Sequence, residues 1–298
     1  MSNFVFLNGG FVAGANARLS IWEGGWLHGA GLFETMRAAH GQIFRLDAHL
    51  DRLTNSARAL LFPIERPDLP LTTDFEELLS RNELAEARVR LTVSSGPMLE
   101  PGSDAAPERD GRPSVTVCAT AAPFSAYSQD LRTWGMSVMI SPYRVSPDDP
   151  LAGHKCTSYL SRLLALRHAQ ARRCSEALWF TTNNLLSEGS ISNVFLVKDG
   201  ALATPPLETP VLPGITRAAV LELAAAGGIE ALQRALTIND LLDADEVFLT
   251  NSMMEIMPVR RVEKHAIGGG KPGPMTQRLA EEYRRLLERE CKGQGTED

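Results

Sequence analysis

Apolar and polar positions along the chain fall into short runs whose period predicts most of the elements. Residues 4–7 and 11–13 alternate around Asn8-Gly9-Gly10 and predict a hairpin, and 33–39 pairs with 42–46 across His40-Gly41 in a second. Asp47 then opens a helix with Leu50, Leu53, Ala57, Leu60 and Leu61 at helical spacing, and a second helix covers 74–82. Strands are expected at 89–94 and 114–120, with a loop rich in Pro, Gly and charge over 97–113. The stretch 122–132 lacks periodicity and reads as a linker. Beyond it come a strand at 136–140, a helix at 157–173, and strands at 177–181 and 191–197 followed by a Lys198-Asp199-Gly200 turn. A helix at 216–226, a strand at 246–249, a charged helix at 275–290 and a polar tail from Lys292 complete the chain. Strands and helices mix without regular alternation and no repeat is visible, so the expected class is α+β. The expected division is a small N-terminal domain at 1–121, the linker at 122–132 and a larger C-terminal domain at 133–298.

Composition narrows the function. The chain has 298 residues, 44% of them hydrophobic and 22% charged, ordinary values for a soluble domain pair. Its formal net charge of -6, with no long basic run, argues against a nucleic-acid partner and points to small molecules. Cys118, Cys156, Cys174 and Cys291 form no Cys-x-x-Cys pair, which fits reduced thiols in a cytoplasm. The six histidines have no metal-ligand spacing, so no metal is expected. Neither a signal-peptide pattern nor an apolar run of about 18 residues is present, so no membrane association is expected.

Only five of the thirty basic residues are lysines, and four of them lie in turns, beside charge or in the tail. Lys155 differs: it precedes an apolar helix in Gly153-His154-Lys155-Cys156-Thr157. An amine in low-polarity surroundings sheds its proton more easily and can then attack a carbonyl, although the context suits a surface lysine equally. Glu188, in Leu186-Ser187-Glu188-Gly189-Ser190, can be held by backbone N–H groups and point into a cleft; by itself a solvated loop glutamate is the commoner case. Leu212-Pro213-Gly214-Ile215-Thr216-Arg217 opens a helix whose N–H groups suit a phosphate, and is also an ordinary helix entry. Thr250-Asn251-Ser252 adds small donors after a strand. The glycines at 268–270 lack phosphate-loop spacing.

Together and in this order, these segments resemble the class IV aminotransferase family over nearly the whole chain, from Asn8-Gly9 to Pro258-Val259. The most specific match is Glu188-Gly189-Ser190 through Asn193-Val194-Phe195, followed by Leu212 to Arg217 at the expected distance. The resemblance implies a fold type IV enzyme with pyridoxal 5'-phosphate between a small and a larger domain, commonly a homodimer. It implies that Lys155 forms a Schiff base with the cofactor and moves the proton. Glu188 would pair with the pyridine nitrogen, Tyr159 with the ring hydroxyl, and Leu212 would pack on the ring. Arg52, Ile215, Thr216, Ser252 and Asn251 would hold the phosphate.

Family members share their first chemical step, so the substrate pocket must decide the reaction. Phe33-Glu34-Thr35-Met36-Arg37 and Leu151-Ala152-Gly153 look similar to the aminodeoxychorismate lyase branch, and Thr157-Ser158-Tyr159-Leu160 to aminotransferases. Ser95 stands where the D-amino-acid branch carries an arginine. Arg37 could bind a substrate carboxylate instead, or form a hairpin salt bridge. His28 sits where (R)-amine transaminases can have histidine, and Phe33, Thr35 and Met253 complete the expected substrate set. The expected activity is amino-group transfer from an amino acid or amine to a 2-keto acid. The lyase is the alternative, and a cofactor-binding protein without turnover a lesser one.

Overall fold

The first hairpin forms as its alternation predicts: β1 (Phe4–Leu7) closes on β2 (Gly10–Ala13), with positive φ at Asn8 and Gly9. This computed structural model describes residues 3–98, 108–109, 112–113 and 115–292. Most of the loop expected over 97–113, Ser114 at the start of an expected strand, and the tail after Lys292 lie outside those residues. Chain contacts separate two units. One is Met1–Ser125 with His154–Tyr159 and Leu287–Asp298; the other is Ala126–Gly153 with Leu160–Leu286.

The first unit continues with α1 (Gly24–His28), β3 (Gly31–Ala39), β4 (Gln42–Ile43), α2 (Leu46–Ala59) and α3 (Thr72–Arg81). Then follow β5 (Ala87–Ser94), β6 (Glu108–Arg109), β7 (Arg112–Pro113) and β8 (Thr116–Pro123). Six strands make an antiparallel sheet in the order β2-β1-β8-β5-β3-β4. Leu50 and Leu53 of α2 and Phe75, Leu78 and Leu79 of α3 pack with Met36, Val89, Leu91 and Ala119 of the sheet. Burying each such side chain contributes about 2 kcal/mol, more than the spread of helix propensities, so packing rather than propensity sets these helices.

Helix α2 ends earlier than its leucines suggest. Leu61 takes φ 56 and is 90% exposed, while the Phe62 N–H bonds back to the Ala57 carbonyl at 2.8 Å. That is a left-handed helix stop with a leucine where glycine is usual. The segment expected to link the domains is not structureless, since β8 runs through Pro123 and a helix begins at Gln129.

The second unit contains α4 (Gln129–Trp134), β9 (Met136–Val145), α5 (Leu160–Ala171), β10 (Glu176–Thr181), β11 (Leu186–Gly189) and β12 (Asn193–Lys198). It goes on through β13 (Ala201–Thr204), α6 (Ile215–Ala226), β14 (Ala231–Gln233), α7 (Ile238–Leu242) and β15 (Glu246–Asn251). Last come β16 (Glu255–Val262), β17 (His265–Ala266) and α8 (Pro274–Cys291), whose final turn belongs to the first unit. The mixed sheet runs β11-β10-β9-β16-β15-β12-β13-β14, with β17 on β16. Ala165 and Ala169 bring α5 close to this sheet, in a cluster with Met139, Ala177 and Trp179. Among the described residues no helix is long and apolar enough to cross a membrane.

The helix expected from Thr157 starts instead at Leu160, because the residues before it pair with β3 in the first unit. The Phe33 N–H donates to the Lys155 carbonyl at 2.9 Å and the Thr157 N–H to the Gly31 carbonyl at 2.8 Å. A Cβ on Gly31 would stand 2.8 Å from both Thr157 Oγ1 and Val93 O, so this approach requires glycine. The pairing also explains why His154–Tyr159 falls in the first unit rather than in the expected C-terminal domain.

Candidate active site

In the first unit the anchored segment carries Lys155 beside two aromatic rings. Lys155 Nζ lies 4.5 Å from the Phe33 ring centroid and 5.9 Å from that of Tyr159, and the two rings meet edge to face at 5.5 Å. Arg90, on β5, places its guanidinium carbon 3.9 Å from the same Phe33 ring, and its Nε donates to Thr92 Oγ1. Burial first, then the charge of Arg88, pushes the Arg90 pKa down, but a guanidinium keeps its proton near neutral pH. His154, next to the lysine, is tied through Nδ1 to Ser56 Oγ at 3.0 Å, so the segment is fixed by both backbone and side chain.

Arg52 sits on the buried face of α2, one turn from His49. Both turn to Glu34 of β3: Arg52 Nε donates to Oε1 at 2.8 Å and Nη2 to Oε2, and His49 Nδ1 lies 2.8 Å from Oε2. Burial alone would raise the Glu34 pKa, but the Arg52 charge and the hydrogen bonds from His49 and Arg52 overcome it and hold the carboxyl at about 2. Burial pushes the His49 pKa down, and because the ionised Glu34 carboxylate can only accept, the His49 Nδ1–H is the donor. Glu34 thereby fixes the plane of the Arg52 guanidinium, and a fixed guanidinium can grip a phosphate.

The second unit holds the glutamate. Glu188 lies near the end of β11 and is 4% exposed. Its Oε1 lies 2.6 Å from Arg162 Nη2, while Oε2 accepts from the Leu212 N–H at 2.9 Å and from Asn193 Nδ2 at 3.3 Å. Beneath the turn that follows, fully buried Glu176 accepts N–H bonds from Ser190 at 3.0 Å and Ile191 at 3.2 Å and the Ser192 hydroxyl at 3.0 Å. Burial raises the Glu176 pKa against those bonds. These bonds hold residues 190–192 in a turn, so β12 begins at Asn193 rather than at Ile191 as the alternation suggests.

Asn193 also donates to the Leu212 carbonyl at 2.9 Å and crowds Gly214, where a Cβ would stand 2.0 Å from Asn193 Oδ1. Gly214 leads into α6 without a side-chain cap, so the N–H groups at Ile215 and Thr216 are available to an anion. Thr216 is buried, its hydroxyl 3.4 Å from that of Tyr283. Thr250 Oγ1, on β15 opposite Asn193, is buried and makes no hydrogen bond among the described residues.

Several expected residues sit differently. The Asn251 side chain is committed, accepting from the N–H groups of Met253 and Met254 in its own loop and donating to the Ile191 carbonyl in the 190–192 turn, which leaves the neighbouring Ser252 as the side chain suited to an anion. Arg37 lies 3.7 Å over the Phe124 ring and forms an ion pair with Glu86, which precedes β5 and lies outside the hairpin where a salt bridge is the expected alternative. Ser95 Oγ is buried without a hydrogen-bond partner among the described residues, His28 is exposed, and Thr35 stands opposite Arg90 in the sheet. Sequence reading misses Arg90, Arg162, Glu176 and the Glu34–His49 pair. The one local signal is the three-residue spacing of His49 and Arg52 on a helix face that also carries buried leucines.

The sequence profile of the family described as "Amino-transferase class IV" matches residues 31–262. A putative branched-chain-amino-acid aminotransferase of Methanocaldococcus jannaschii is 34% identical over 285 residues, covering 94% of this chain and 95% of that one. The crystal structure of the branched-chain amino acid aminotransferase of Escherichia coli superposes with a TM-score of 0.87 at 30% identity, covering 99% and 97%. Another branched-chain amino acid aminotransferase, solved with pyridoxamine 5'-phosphate, gives 0.86 at 27% identity, covering 97% and 95%. A 4-amino-4-deoxychorismate lyase of Pseudomonas aeruginosa gives 0.79 at 29%, covering 95% and 99%.

Proposed function

Because the chain belongs to the class IV aminotransferase family, we propose that it transfers the amino group of a branched-chain amino acid to a 2-keto acid. It is a pyridoxal-phosphate-dependent transaminase of fold type IV. When bound, the cofactor supplies an electron-poor ring that stabilises negative charge on the substrate carbon next to nitrogen. The protein's own residues fit such a group. Arg52 fixed by Glu34, the uncapped start of α6 and the buried Thr250 hydroxyl are the kinds of donor a phosphate takes, and Glu188 is an acceptor suited to a ring N–H.

In this reading Lys155 would hold the cofactor covalently until the substrate amine displaces it, and the freed Nζ would then take the proton from the substrate carbon. Glu188 faces the ring nitrogen, Leu212 the ring, and Tyr159 the ring hydroxyl, while Arg52, Ile215, Thr216 and Ser252 hold the phosphate. The donor class rests on one observation: Lys155 and the Arg90 guanidinium share the apolar Phe33 ring. That arrangement supplies a cation for a carboxylate and an apolar wall for a hydrocarbon side chain. Arg90 takes the role that the sequence suggests for Arg37, whose charge is met by Glu86.

Two coarser readings accompany it. We place the chain in the cytoplasm, which its four cysteines, none of them in a disulfide, suit. We also expect a homodimer with the two units as its small and large domains, since Leu19, Ile21 and Trp26 form an apolar stretch with Trp26 79% exposed.

The test is a half-reaction with no acceptor present. L-leucine should discharge the visible band of the lysine-bound cofactor and release its keto acid, ahead of D-alanine and an (R)-arylamine. If the band persists with every donor while aminodeoxychorismate yields pyruvate and 4-aminobenzoate, the protein is instead a lyase. Replacing Arg90 with methionine should raise KM for L-leucine about 100-fold, from loss of one charge-assisted pair, and change KM little for an amine without a carboxylate. Equal effects on both donors would remove Arg90 from the carboxylate site.

A further inference from the structure

Helix α5 begins five residues after Lys155, and its third residue, Arg162, lies one turn before Ala165, so the two share the face turned to the sheet. From there its guanidinium makes two contacts to one short segment. Nη2 lies 2.6 Å from Glu188 Oε1 and Nη1 donates to the Gly189 carbonyl at 3.0 Å. The guanidinium also stands 5.5 Å from the Trp179 ring, whose Nε1 donates to Ser190 Oγ at 3.0 Å. Arg162 therefore grips both the side chain and the backbone of the glutamate's turn, and Trp179 braces the same turn through its next residue.

A carboxylate offers about four lone-pair directions. Arg162 takes one on Oε1, and the Leu212 N–H and Asn193 Nδ2 take two on Oε2. About one direction is left for a further donor. The three donors come from α5, from β12 and from the loop ahead of α6, so the carboxylate cannot rotate without breaking bonds to three separate elements.

We propose that Arg162 is a positioning residue that locks the Glu188 carboxylate so that its remaining lone pair meets the ring nitrogen of the cofactor. The proposal rests on the assignment of Glu188 to that nitrogen. Arg162 touches neither cofactor nor substrate in this scheme; it acts only through Glu188. Its effect must therefore depend on the ring nitrogen, and a merely structural ion pair would show no such dependence.

The decisive experiment measures dissociation constants for two cofactors on the apo-proteins of the parent, Arg162→Leu, Arg162→Lys and Glu188→Gln. One cofactor is pyridoxal phosphate; the other is its 1-deaza analogue, in which a ring C–H replaces the nitrogen. Arg162→Leu should weaken pyridoxal phosphate about ten-fold, the loss of one orienting charge-assisted bond, and leave the analogue's affinity unchanged. Arg162→Lys, which keeps the charge but not the fork, should recover part of the loss. Retained affinity for the analogue also shows that the variant is folded. An equal fall for both cofactors, or tighter binding of pyridoxal phosphate alone, would overturn the proposal. If Glu188→Gln in the otherwise parental protein does not discriminate between the two cofactors, the assignment of Glu188 has failed, and the proposal with it.

Discussion

Replacing Lys155 with alanine should abolish the visible band of the bound cofactor and lower transaminase turnover by at least about 1000-fold. General-base catalysis alone contributes about 10²–10⁴, and the covalent attachment is lost as well. The fold should survive, because the residue is anchored through its backbone. The Phe33 N–H donates to the Lys155 carbonyl, and the Cys156–Leu32 bridge beside it involves no lysine side chain. Circular dichroism and melting temperature close to the parent's, with the band and the turnover gone, are the expected pair of results. A variant that keeps the band would move the cofactor to another lysine.

The second large effect is on stability. Glu34→Ala should cost about 3–5 kcal/mol, because it removes the buried carboxylate that accepts from both the Arg52 guanidinium and the His49 Nδ1–H. Denaturant unfolding measures this directly, and a loss below about 1 kcal/mol would mean that the charges are met in another way. The same carboxyl sets an acid limb. Its folded pKa of about 2 lies below the ordinary value of 4.5, so its stabilisation is present above pH 4.5 and is lost as pH falls toward 2. The difference corresponds to about 3 kcal/mol. Glu34→Gln, which cannot titrate, should flatten that part of the stability–pH profile.

Much of the fold is legible in local pattern. The first hairpin, α3, α6 and α8 follow from alternation, helical spacing and turn residues, because each is decided within its own segment. The elements that escape are decided by partners distant in sequence. The chain at 155–158 has the composition of a helix start, yet the Lys155 carbonyl and the Thr157 N–H are claimed by β3. Pro258 argues against a strand at β16; the proline is tolerated because pairing with β9 begins only at the next residue, Val259. Leu61 continues the apolar spacing of α2, but nothing local reveals the left-handed stop that exposes it.

The candidate site divides along the same line. Lys155, Glu188 and the segment from Leu212 to Arg217 carry recognisable types and spacings. Arg90 is hidden because, on β5, it reads as the polar face of an alternating strand; only the register with β3, which sets it beside Thr35 and near Phe33, gives it a role. Glu176 is hidden for the opposite reason. It lies in a strand buried at every position, where a carboxylate is unexpected until the turn it supports is seen. Arg37 and Asn251 carry plausible types at plausible places, and each proves to be engaged by neighbours that no spacing rule reveals.

The most direct test of the lysine's role is to reduce the holo-protein with borohydride, digest it and identify the lysine that carries the pyridoxyl group. With five lysines in the chain, the label is expected on Lys155 alone. A label on Lys198, Lys264, Lys271 or Lys292, or no label on a protein that retains its band, would contradict it.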